Sequence, residues 1–140
     1  MSDRILVPYD GSTPAEEALE YAFETFPDAS VTALYVVPIP EGYWTAFEES
    51  DDEFSSDDVE DRGRDVLETA TELAAEHDRD IETTVVVGQP AREIVTRAEE
   101  NPYETIVMGS HGREGVSRIL LGSIAGTVVR RSPIPVVVVR

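Results

Sequence analysis

The chain has 140 residues, with 29 acidic side chains against 11 basic ones, every one of them arginine, and a formal net charge of −18. That balance excludes a nucleic-acid surface, because no face can gather enough arginine to neutralise a row of phosphates. The absence of cysteine excludes disulfides, thiolate nucleophiles and thiolate metal sites. The longest apolar runs have strand length, far short of the roughly 20 residues of a membrane span, and the first residues show no charged-then-apolar leader. The expectation is a cytoplasmic protein without membrane contact, folded as one domain over residues 1–140. A charge of −18 opposes compaction in dilute buffer. At molar salt the Debye length falls to about 3 Å and the repulsion is screened. Short carboxylates and a complete lack of lysine therefore point to a halophilic, saline interior.

Along the chain, apolar β-branched runs alternate with segments of helical period, the pattern of a parallel sheet covered on both faces. Strands are expected at Arg4 to Tyr9, Val31 to Val37, Ile81 to Val87, Thr105 to Met108 and Pro135 to Val139. The first helix opens with Thr13 as cap, Pro14 at the first position and Glu16 closing a capping box. Its core stripe is Ala15, Ala18, Leu19, Ala22, Phe23 and Phe26, which is packing. A second helix from about Ser56 to His77 aligns Val59, Gly63, Val66, Leu67, Ala70, Leu73 and Ala74, with His77 read as a surface residue. A third starts at Pro90 and buries Ala91, Ile94, Val95 and Ala98. A fourth opens at Gly122 and Ser123, with Ile124, Ala125, Val128 and Val129 apolar and Arg130 and Arg131 in its last turn. The span from Pro38 to about residue 56 is longer than an ordinary connection. It places Tyr43, Trp44 and Phe47 before a run of carboxylates, and is expected to be a lid or a solvated acidic loop.

The densest functional signal follows the fourth strand. Gly109 and Gly112, nine further residues, then Gly122 and Ser123 place glycines where a strand hands its backbone to a helix. Such a loop can aim successive backbone N–H groups at one anion. The N–H groups of Gly122, Ser123 and Ile124, with the Ser123 hydroxyl, are expected to form a second anion site. His111 and Arg113 flank the loop within reach of phosphate oxygens. Neither the GxGxxG nor the GxxxxGK[ST] spacing occurs, and without lysine a P-loop is excluded. Asp10, before Gly11 at the end of the first strand, reads from its neighbours as an Asx turn or a helix-entry cap.

Together these residues resemble the universal stress protein family, and in particular its nucleotide-binding branch. The signature of that branch is glycine, two residues, glycine, nine residues, glycine, then serine or threonine, which Gly109, Gly112, Gly122 and Ser123 match in full. Ile5 to Ser12, the corner Gly88-Gln89-Pro90-Ala91 and the closing Pro133 to Val139 also fit. The resemblance implies a doubly wound, Rossmann-like five-stranded parallel sheet of the adenine nucleotide alpha hydrolase type, in the order 3-2-1-4-5. Pro8, Asp10 and the glycine loop would then converge at the switch point between strands one and four. It implies that Asp10 lies near the ribose or a phosphate-bound cation, and that Val36 and Met108 line an adenine pocket. Gly109, His111, Gly112, Arg113, Gly122, Ser123 and Ile124 would meet the phosphates. The implied ligand is ATP, with magnesium or manganese arriving through its phosphates.

Hydrolysis would need a water-positioning group and a cation at the transferred charge. No serine or cysteine triad is indicated, so binding is favoured over turnover. The expected function is that of an ATP-binding stress-response regulator. It would act as a homodimer through Val136 to Val139, an apolar edge otherwise exposed. A slow magnesium-dependent ATPase and a nucleotide-free interaction dimer are the alternatives.

Overall fold

The computed structural model describes residues 3–38, 56–110 and 121–140, with the backbone alone for 56–59. The expectations for Tyr43, Trp44 and Phe47, and for His111, Gly112 and Arg113, lie outside the described residues. Five strands, β1 (Arg4–Pro8), β2 (Ser30–Pro38), β3 (Ile81–Gly88), β4 (Thr105–Gly109) and β5 (Val136–Val139), form one parallel sheet in the order β3-β2-β1-β4-β5. The helices are α1 (Thr13–Thr25), α2 (Ser56–Glu76), α3 (Pro90–Glu100) and α4 (Ser123–Arg131). Each expected strand is present, with ends shifted by one residue at most.

Strand alternation divides the core into two layers. Ile5, Val7, Ala33, Tyr35, Val37 and Val107 face α1 and α2, where Ala18, Leu19, Ala22, Phe23, Leu67, Ala70 and Ala74 are buried against them. Leu6, Leu34, Val36, Ile106 and Met108 face the other way, toward Ile94, Val95 and Ala98 of α3 and Ala125 and Val128 of α4. The strands read as continuous apolar runs because both faces are covered.

Two local expectations change, and α4 adds a detail. Ser12, not Thr13, caps α1, its Oγ accepting from the Ala15 N–H at 3.3 Å, so Glu16 falls one place beyond the capping-box position. Ser12 takes the role because the Asp10 carboxylate holds its hydroxyl and backbone together. His77 is half-buried, its ring 5.4 Å from that of Phe23 and its Nε2 3.9 Å from Glu20, since α1 and α2 lie side by side over the sheet. On α4, Ile124 and Val129 are 40% and 43% exposed, while Gly126 is buried with Ala125 and Val128. Ile124 borders the groove between α3 and α4, and among the described residues no element of the sheet lies beyond β5.

Candidate nucleotide site at the switch point

The site begins where the β1–β4 ladder ends. The two strands pair only at Ile5–Thr105 and Leu6–Ile106. Beyond those pairs, β1 is held from its other side by Val7–Ala33, Pro8–Leu34 and the Tyr9 N–H on the Leu34 carbonyl at 2.8 Å. Proline has no N–H to offer a ladder, so Pro8 suits this position. β4 is held from its own outer side by Met108–Val138 and Gly109–Val139, and then by the Ser110 N–H on the Val139 carbonyl at 2.9 Å. The winding direction reverses between these strands, at the carboxyl edge where doubly wound folds place ligands.

Pro8, Val36 and Met108 share the face of the sheet that looks toward α3 and α4. Val36 and Met108 are 8% and 4% exposed and belong to that core layer, so their side chains already contribute to packing. Asp10 sits just past β1. Its Oδ1 accepts from the Ser12 N–H at 3.0 Å and from the Ser12 hydroxyl, the Asx-turn geometry that orders the start of α1. The turn passes through Gly11 at φ 82°, a region that favours glycine.

Gly109 has a packing role that the sequence did not reveal. A Cβ there would lie 2.8 Å from Pro14 Cβ and 2.9 Å from the Pro14 carbonyl carbon and oxygen. The first turn of α1 therefore reaches the end of β4 only because residue 109 has no side chain.

Gly122 caps α4 with φ −64° and ψ 165°, values open to any residue. Its N–H donates to the Ser110 carbonyl at 2.7 Å, which corrects the expectation that three consecutive N–H groups wait for an anion. The peptide after Ser110 and the one before α4 are tied together, and that tie consumes the first donor. The Ser123 and Ile124 N–H groups have no acceptor among the described residues, and Gly122 offers no side-chain oxygen to cap them. The opening of α4 thus combines two donors, the positive end of the helix dipole and the exposed Ser123 side chain.

Among the described residues no group of three or more His, Asp or Glu side chains could hold a metal ion. A divalent cation here would depend on oxygens supplied by its ligand, with Asp10 the carboxylate nearest the switch point in sequence. No helix of the described residues is long and apolar enough to cross a membrane.

Comparison with known proteins agrees with this architecture. The chain is 36% identical to universal stress protein MJ0531 of Methanocaldococcus jannaschii, the match covering 98% of this chain and 81% of that one. In structure it resembles protein MJ0577 of the same organism, with a TM-score of 0.80, 33% identity, and coverage of 99% of this chain and 96% of the other. It also resembles a universal stress protein solved in complex with cAMP, with a TM-score of 0.73, 25% identity, and coverage of 99% and 97%. The model of the universal stress protein family matches residues 1–140. With the sheet order and the relatives in agreement, this chain belongs to the universal stress protein family.

Proposed function

We propose that the chain is an ATP-binding regulator of the stress response, working as a homodimer in a salt-rich cytoplasm. The observation that carries this reading is the opening of α4 at the switch point, where the Ser123 and Ile124 N–H groups lack an acceptor among the described residues. A polyphosphate supplies what that helix end lacks. The cAMP complex of a structural relative supports an adenine nucleotide as the ligand class. In this reading the adenine lies against Val36 and Met108, the ribose and a phosphate-bound magnesium or manganese lie near Pro8 and Asp10, and the phosphates meet Gly109, Gly122, Ser123 and Ile124. His111, Gly112 and Arg113 of the glycine loop complete the phosphate contacts.

Binding is preferred to turnover because Asp10 is engaged in holding Ser12 and α1 rather than set out alone as a base. The β5 edge supports the dimer: Val136 to Val139 pair with β4 on one side, lie at the border of the sheet on the other, and remain half-buried.

Protein purified in molar KCl and then denatured is expected to release an adenine nucleotide detectable by mass spectrometry. ATP incubated with the emptied protein and magnesium is expected to be recovered intact. Steady ADP production that disappears in Asp10→Ala would instead establish the slow ATPase. Sedimentation of the emptied and ATP-loaded protein tests the dimer, and a monomer in both states would remove it.

A further inference from the structure

A cleft of about 810 Å³ runs between α3 and α4 on the outside of the molecule, lined among others by Arg92, Thr96, Glu99, Thr127 and Arg131. Both helices follow one parallel strand and lead to the next, so they lie parallel, with their first turns together at the carboxyl edge of the sheet. The cleft starts at Gln89 and Ser123 and ends at Glu99 and Arg131. Its length is that of α4, about 13 Å for nine residues.

The lining is chemically distinctive in this chain. Acids outnumber bases 29 to 11, yet residues 121–140 hold three arginines and no carboxylate side chain. Arg92 and Arg131 make no hydrogen bond or ion pair among the described residues, and Glu99, the one carboxylate of the cleft, is paired with neither. Ala91, Val95 and Ile124 provide an apolar floor, and Ile124 is 40% exposed. The Thr96 and Thr127 hydroxyls add donors along the walls. Guanidinium groups without carboxylate partners, in a protein rich in carboxylates, match a ligand that brings its own negative charge.

We propose that the α3–α4 cleft is a second ligand site, for a small organic anion with an apolar body, either a phosphate ester or a carboxylate. The anionic group pairs with Arg92 at the end where the two helices begin, the apolar body covers Val95 and Ile124, and Arg131 holds the far end. The cleft touches the proposed nucleotide site at Ser123 and Ile124 and otherwise runs away from it. It does not require that ATP be the nucleotide, and its occupancy would be felt at the opening of α4.

The test is a titration of the full chain in KCl, followed by amide chemical shifts, with phenyl phosphate, benzoate and neutral benzyl alcohol as probes, without and with saturating ATP. Saturable shifts in Ala91 to Thr96 and Ser123 to Thr127 are expected with one or both anions, persisting with ATP present. Phenyl phosphate alone would assign a phosphate ester, and benzoate alone a carboxylate. Arg92→Gln is expected to weaken binding about tenfold, the size of one lost charge-assisted hydrogen bond, and Arg131→Gln to weaken it less because each probe carries one anionic group, both leaving ATP affinity unchanged. Equal binding of benzyl alcohol, loss of the shifts when ATP is added, no saturable shift, or unchanged affinity in both variants would overturn the proposal. The ATP titration of the same samples reports separately on the nucleotide reading.

Discussion

Gly109 and Tyr9 carry structural work that a functional motif would hide. At Gly109 any side chain meets backbone atoms of Pro14 within 2.9 Å, and backbone at a helix start cannot move aside without shifting α1. Gly109→Ala is expected to destabilise the fold by about 1–3 kcal/mol, the usual cost of overpacking, measured by denaturant unfolding in KCl. Tyr9 is 2% exposed, and its hydroxyl meets Thr69 Oγ1 at 2.6 Å. Thr69 spends its own proton on the Val66 carbonyl at 2.7 Å, so Tyr9 is the donor. Burial, aided by the Glu16, Asp10 and Glu72 carboxylates, holds the phenol above its ordinary value of 10.0. The unfolded chain therefore releases this proton first. The stability involved is complete below pH 10 and is lost as pH rises through the folded-state pKa. Tyr9→Phe is expected to cost about 1 kcal/mol at neutral pH and to flatten that alkaline decline, which unfolding curves at a series of pH values will show. The packing partner of Gly109 was not legible in the sequence, because its glycine fits the phosphate signature and the Pro14 contact is made only by the fold. The Asx-turn reading of Asp10 was legible from the Gly11 that follows it, and the structure displays that turn.

Among the elements, the strands were readable because each is a continuous apolar, β-branched run, as sheets covered on both faces require. The α1 cap was misplaced by one residue because Ser12 and Thr13 both fit, and only the Asp10 contact decides between them. The C-terminal end of α1 shows what local pattern cannot give. Arg79 reaches back 56 positions to donate to the Phe23 carbonyl at 3.0 Å, donates to the Ala29 carbonyl at 2.8 Å, and lies over the Phe23 ring. Those carbonyls close the end of α1 and the turn into β2, and the last turn of α1 has no basic residue of its own to meet them. Arg79→Ala is expected to cost about 1.5–3 kcal/mol, in the range of charge-assisted bonds, by thermal unfolding. Two helical glycines make a contrasting pair. A Cβ at Gly63 would fall 2.3 Å from Val85 Cγ2, whereas at Gly126 the nearest atom is the mobile Arg130 Nη1 at 3.4 Å. Alanine gains up to about 1 kcal/mol over glycine in a helix. Gly126→Ala is therefore expected to stabilise, and Gly63→Ala to destabilise because α2 must lift from β3, the two shifting the melting temperature in opposite directions.

At the scale of the molecule, charge and topology act together. The sheet order puts β3 and the carboxylate-rich α2 at one border, and β5 with the arginine-bearing α4 at the other. A net charge of −18 should make stability rise steeply as KCl increases toward molar levels, where the screening length is about 3 Å. A melting temperature flat from low to molar KCl would contradict the salt-adapted reading. The central claim is that the glycine-capped start of α4 at the β1–β4 switch point binds ATP. Calorimetric titration of the emptied protein with ATP in molar KCl, beside a folded Gly122→Val variant, tests it most directly. Micromolar, one-to-one binding in the native chain that vanishes in the variant is the predicted result. Equal affinity in the two proteins, or no binding by either, would contradict it.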